Sequence, residues 1–137
     1  MLRNGAGRIL IADNDEDVLI ALEHTLENDG YQTMTAVNYE QTSKMFEEHN
    51  VDLCVLDDHL SDKDSVQVLS ELRDAGKRPL VIVTYHRFPG PQEEKQLRSL
   101  GVSAFVNKEA HSELFNIVSH LLEPRESQPR CAFDEMT

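Results

Sequence analysis

Five short apolar runs alternate with helix-patterned segments along the 137 residues, and this alternation constrains the fold more than any other feature. The first run is Ile9-Leu10-Ile11-Ala12, of buried-strand type. The acidic stretch Asp13-Asn14-Asp15-Glu16-Asp17 follows, then Leu19, Leu22 and Leu26 on one helical face, with Gly30 as a stop. Residues 31–37 read as a second, less apolar strand. Asn38 with Gln41 three residues on resembles a capping box, and Met45 and Phe46 give that helix its apolar face. Residues 52–56 form a third strand, and Asp64 or Ser65 starts a helix carrying Leu69 and Leu72 that stops near Gly76. Residues 80–84 make a fourth strand. Phe88-Pro89-Gly90-Pro91 then breaks the chain, and Pro91 opens a short helix to Leu100. Residues 103–107 form a fifth strand, and Leu114, Ile117, Val118 and Leu121 space a last helix.

Five βα units with strongly apolar strands predict a parallel sheet covered on both faces, with right-handed crossovers. The expected fold is therefore α/β: a doubly wound five-stranded parallel sheet with five helices. Residues 1–122 form the expected domain. Residues 123–137, with Pro124 and Pro129 and little apolar material, read as a flexible C-terminal tail.

Charge narrows the partners. Thirteen Lys and Arg against 25 Asp and Glu leave a formal net charge of −12. Phosphate backbones and anionic lipid repel such a chain, so neither direct nucleic-acid binding nor a membrane surface is expected. No apolar run approaches a membrane span, and residues 1–8 lack a signal-peptide core. Cys54 and Cys131 make no disulfide framework, so a cytoplasmic location is expected.

Ligands in doubly wound sheets sit at the carboxyl ends of the strands. The polar residues there are Asp13, Asn14 and Asp15 after strand 1, Asp57 and Asp58 after strand 3, Thr84 after strand 4 and Lys108 after strand 5. Gathered at one edge they make an acidic cup with one ammonium and one hydroxyl. Clustered carboxylates repel unless a cation sits among them, and an open all-oxygen site suits Mg²⁺ better than zinc. Aspartate is a nucleophile toward phosphoryl groups, and Lys108 and Thr84 are suited to hold phosphoryl oxygens. Each residue alone also has a plainer reading. Asp13, Asn14 or Asp15 serves as a helix N-cap, Asp57 and Asp58 turn a loop, and Phe105 is an ordinary strand aromatic.

At these residues the chain resembles the receiver domain of two-component response regulators. The likeness runs from about Arg8 to Leu122 and rests on four ordered segments: Ile9-Leu10-Ile11-Ala12-Asp13-Asn14-Asp15, Asp52-Leu53-Cys54-Val55-Leu56-Asp57, Pro79-Leu80-Val81-Ile82-Val83-Thr84, and Gly101-Val102-Ser103-Ala104-Phe105-Val106-Asn107-Lys108. The resemblance implies a flavodoxin-like sheet with strand order 2-1-3-4-5, and that Asp57 accepts a phosphoryl group from a histidine kinase or phosphotransfer protein. It implies Mg²⁺ held by Asp13, its neighbour Asn14, Asp57 and the backbone carbonyl of His59. Thr84 and Phe105 would be the switch pair acting on a downstream protein target, with Lys108 on the phosphoryl group. The chain would be a phosphoacceptor and not a classical enzyme. A homodimer stays open, as does the choice between a stand-alone receiver and part of a longer protein.

The chain departs from the family pattern at several positions. Asn14 replaces the second acid, and Ser61 and Ser65 stand for a common proline and glycine. Glu109 follows the lysine where a cis-proline is usual, and Tyr85 follows Thr84 where a small residue is usual. Segment 84–101 is about two residues longer than the common pattern. Tyr85, His86 and Glu109 are thus the expected modulators of phosphoryl lifetime. A phosphorylation-independent interaction module is the second reading. A phosphatase or flavodoxin on the same topology is the third. It is disfavoured because His59 stands where a phosphatase needs a second acid, and the loop after strand 1 is acidic.

Overall fold

The structure, a computed structural model, describes residues 7–122. The tail assigned to residues 123–137 lies outside them. Ten elements alternate strictly: β1 (Arg8–Ala12), α1 (Glu16–Asn28), β2 (Gln32–Ala36), α2 (Tyr39–Glu48), β3 (Leu53–Asp57), α3 (Ser65–Asp74), β4 (Leu80–Tyr85), α4 (Pro91–Ser99), β5 (Val102–Asn107) and α5 (His111–Leu122). The five strands are parallel, as the alternation predicts, and their order β2-β1-β3-β4-β5 is the one the family resemblance implies.

Local chemistry sets the boundaries. Asp15, not Asp13 or Asn14, caps α1, accepting from the backbone N–H groups of Asp17 and Val18. Asn38 caps α2, and Gln41 reaches back to the N–H of Val37 at 2.9 Å. Asp64 and Gln67 form a full capping box on α3. Pro91 opens α4, where its missing N–H costs nothing. Gly30 ends the turn after α1 with φ at 98°, a left-handed conformation that a side chain would strain.

Alternation along the strands divides the core into two layers. Leu10, Cys54, Leu56, Val81 and Val83 pack with Phe46, Val68, Leu69 and Leu97 on the α2–α3–α4 side. Ile9, Ile11, Leu53, Val55, Ile82 and Val106 pack with Leu22, Leu26, Leu114 and Val118 on the α1–α5 side. Burying each such side chain contributes about 1.5–3 kcal/mol, which holds both helical layers to the sheet. The sheet thereby fixes which residues stand at its carboxyl edge.

Candidate functional site

Asp13 leaves β1 directly, and its N–H still donates to Ala36 O at 3.0 Å, as a strand residue's would. Asp57 is the last residue of β3, one position beyond the expected end, and pairs with Thr84 across the ladder. Lys108 follows β5, held where its N–H donates to Tyr85 O at 2.8 Å. Three strand ends thus bring one ammonium between two carboxylates. Lys108 Nζ lies 2.9 Å from Asp57 Oδ2 and 3.0 Å from Asp13 Oδ2. All three side chains are nearly buried: 4% exposed for each carboxylate and 8% for the lysine.

The remaining carboxylate oxygens differ. Asp13 Oδ1 accepts the Asp15 N–H at 2.8 Å, whereas Asp57 Oδ1 accepts only a long 3.4 Å contact from His59 N–H. Burial raises the pKa of Asp57, and the side chain of Asp58 adds to it, against the lowering effect of Lys108 and the His59 N–H. Burial likewise raises Asp13, with the Asp57 charge adding and the Asp15 N–H and Lys108 opposing. Burial works against the Lys108 ammonium, but its bonds to Asp57 and Asp13 outweigh it and hold its pKa above the ordinary value. The cup therefore carries one cation for two desolvated anions, a deficit that a further cation relieves.

That donor set fits Mg²⁺. Both carboxylates offer hard oxygens, and the ion is ordinarily held by one or two carboxylates with waters. Among the described residues no three His, Cys, Asp or Glu side chains are gathered around one point, so the edge itself supplies two carboxylates to an ion. Asn14 is exposed beside Asp13, and His59 is exposed beside Asp57.

The other expected residues divide between the two faces. Thr84 is buried and lines, with Lys108, His111 and Leu114, a small cavity of about 10 Å³ on the α1–α5 side. Phe105 packs on the opposite side, its ring 5.5 Å from that of Phe88 and beneath the Arg98 guanidinium at 4.8 Å. Tyr85 meets the same Phe88 edge-on at 5.2 Å. The register explains this split. Val81 pairs with Val102 but Ile82 pairs with Ala104, so a shift at Ser103 aligns Phe105 with Val83, not with Thr84. His86 is exposed. Glu109 is exposed too, its N–H bonded to Asn107 Oδ1 at 2.9 Å, and no peptide bond among the described residues is cis, so the Lys108–Glu109 turn takes a different shape from a cis-proline loop. Ser65 is fully buried at the start of α3, its hydroxyl without a hydrogen-bond partner.

Sequence reasoning missed two features. One is the Phe88 cluster, for which the only signal was an aromatic beside Pro-Gly-Pro. The other is a clamp on the loop after β3. Asp62 Oδ1 accepts the Tyr39 N–H at 2.8 Å, and Lys63 pairs with Glu71 at 3.1 Å while lying over the Tyr39 ring. Short polar side chains there gave no hint of which helix they would reach.

A doubly wound parallel sheet with two buried aspartates and a lysine at its carboxyl edge defines the chain as an α/β domain with a charged site at the strand ends. Comparison with known proteins makes the class specific. The model of the response regulator receiver domain matches residues 9–119, and the chain belongs to that family. The alginate biosynthesis transcriptional regulatory protein AlgB of Pseudomonas aeruginosa is 35% identical over 81 residues, 58% of this chain and 18% of that protein. The chain spans about a fifth of the length of such curated relatives. A two-component response regulator from Clostridium difficile superposes with a TM-score of 0.79 at 23% identity, covering 88% of this chain and 99% of that one. The response regulator TrrA from Thermotoga maritima, solved in complex with Mg²⁺ and BeF, gives 0.71 at 28% identity, covering 84% and 98%. Among the described residues no helix is long and apolar enough to cross a membrane.

Proposed function

We propose that this receiver accepts a phosphoryl group on Asp57 from a histidine kinase or phosphotransfer protein, in a Mg²⁺-dependent reaction, and thereby switches a protein-binding surface. The Asp13–Lys108–Asp57 constellation carries the reading. Lys108 occupies Asp57 Oδ2, which leaves Oδ1 as the nucleophile. Oδ1 attacks phosphorus, the bond from phosphorus to the donor imidazole nitrogen breaks, and its electron pair returns to the ring. The product is an acyl phosphate on Asp57. Lys108 then neutralises a phosphoryl oxygen, and the Thr84 hydroxyl donates to another.

Asp13, Asn14, Asp57 and the His59 carbonyl would hold Mg²⁺. The bound ion supplies charge neutralisation at the phosphoryl and carboxylate oxygens. With an amide at position 14 in place of a carboxylate, affinity is modest, and Asn14→Asp tightens it.

Pulling Thr84 toward the phosphoryl group shifts an existing equilibrium of β4, β5 and the Phe88–Phe105 cluster, which a downstream protein reads. Tyr85, His86 and Glu109 border the edge and set how readily water reaches Asp57. The chain thus catalyses only its own phosphotransfer and dephosphorylation.

Reaction with acetyl phosphate and Mg²⁺, then borohydride trapping and mass spectrometry, places the label on Asp57; Asp57→Asn abolishes it. Label on Asp58, or none with donor and Mg²⁺ in excess, refutes the assignment and leaves a phosphorylation-independent interaction module.

A further inference from the structure

At the edge of the sheet opposite Asp57, Arg73 and Arg78 lie together, and Asp52 lines the adjoining hollow with Arg78. A groove of about 500 Å³ lies there, beneath the C-terminal ends of α3 and α4, lined by Arg73, Arg78, Pro79, Leu80, Leu100 and Gly101. Arg73 donates to backbone carbonyls only: Nε to Leu100 O at 2.8 Å and Nη1 to Lys77 O at 3.0 Å. Arg78 Nη1 donates to Arg73 O at 3.1 Å and Lys77 O at 3.2 Å. Although the chain has 25 acidic residues, no carboxylate among the described residues lies within 4.0 Å of either guanidinium. Burial, and then the Arg78 charge, lower the Arg73 pKa, as expected of two cations without an anion between them. Gly101 is part of the construction: a Cβ there would stand 2.9 Å from Arg73 Nη2.

We infer that this groove is a carboxylate site whose occupant is the chain's own segment Phe133-Asp134-Glu135-Met136. Asp134 and Glu135 offer adjacent carboxylates to Arg78 and to Nη2 of Arg73, whose Nε and Nη1 are held by backbone carbonyls. Phe133 and Met136 flank them with apolar surface to set against Leu80 and Leu100.

The path permits it. Helix α5 ends at Leu122, whose side chain lies against Gly7 just before β1, so α5 delivers the chain to this same edge. From β1 to β4 is two strand steps, about 10 Å, with about 10 Å more across a layer. The ten residues 123–132 reach up to about 33 Å. A tether of this length gives an effective concentration on the order of 1 mM, so a contact with a dissociation constant of ~1 mM is made about half the time. The contact lies at the pole away from Asp57 and leaves the carboxyl edge open.

Amide spectra of the full chain test this, comparing wild type, Asp134→Asn/Glu135→Gln and Arg78→Gln. Arg78 is exposed, so its replacement leaves the core intact. Neutralising the segment shifts the amides of Arg78, Leu80, Leu100 and Gly101. Arg78→Gln shifts the amides of residues 133–136, and 1 M NaCl reproduces both changes by screening. Unchanged groove amides in the double variant overturn the inference, as do unchanged segment amides in Arg78→Gln. A groove that responds to added inorganic phosphate or to an added acidic peptide, but not to neutralisation of the segment, assigns the site to another anion and also overturns it.

Discussion

Replacing Lys108 with methionine removes the one cation from the acidic cup while keeping most of the side chain's volume. The ammonium lies 2.9 and 3.0 Å from two carboxylates that are each 4% exposed. At an effective dielectric of about 20, each contact is worth roughly 5 kcal/mol of gross Coulomb energy, most of it offset by desolvation. Removing one partner of a buried pair costs about 3–5 kcal/mol, and the lower figure applies here because the edge borders solvent. A loss of about 3 kcal/mol at pH 7.5 in chelator corresponds to a Tm lower by about 10 °C for a domain of this size. The loss depends on pH with a definite sign. Burial already raises the pKa values of Asp13 and Asp57, and Lys108 opposes that rise. Without Lys108 both rise further, so the variant's deficit is full where the carboxylates are ionised and shrinks as the pH falls and they protonate. Mg²⁺ restores a positive charge. At ten times its dissociation constant it returns about 1.4 kcal/mol, and it returns more to the variant than to wild type, where Lys108 competes for the same oxygens. Urea melts at pH 7.5 and 5.5, each with Mg²⁺ or chelator, measure all of this. A deficit below about 1 kcal/mol at pH 7.5, a deficit equal at both pH values, or equal Mg²⁺ gains would refute the charge argument.

Three further outcomes are expected. Ser65→Ala deletes a buried hydroxyl that has no partner among the described residues and raises stability by about 1 kcal/mol; an unchanged or lower urea midpoint means that the hydroxyl is satisfied. Burial pushes the Cys54 thiol up to about 12, so iodoacetamide at pH 8 leaves it unmodified in the native protein and alkylates it in urea, as peptide mapping reads directly. Tyr85→Ala frees Phe88 and opens the approach to Asp57, so the acyl phosphate decays faster than in wild type in Mg²⁺; equal decay confines Tyr85 to the packing it makes with Phe88.

Local chemistry made much of the fold legible. Continuous apolar runs and helically spaced apolar residues separate strands from helices whatever their neighbours; Asn38 and Asp64 mark boundaries by bonds made within a few residues, and Pro91 and Gly30 by their own backbone conformation. Asp13, Asp57, Thr84 and Lys108 were visible because parallel strands bring their carboxyl ends to one edge. The choice of Asp15 as the cap of α1 was not, since three adjacent polar residues satisfy the same pattern.

Other features depended on contacts between distant elements. That Lys108 spans both carboxylates depends on the spacing of β1, β3 and β5, and the gathering of Arg73 and Arg78 depends on where α3 and α4 end. The position of Phe105 shows the limit most clearly. Counting residues from Val81 opposite Val102 would place Phe105 beside Thr84, on one face of the sheet. The register shift at Ser103 moves Phe105 opposite Val83 instead and turns its ring to the α3–α4 layer, against Phe88 and Arg98. The strand sequence is equally compatible with either register; the tertiary structure decided between them, because side chains alternate with a period of two and one inserted residue reverses the face on which every later one lies.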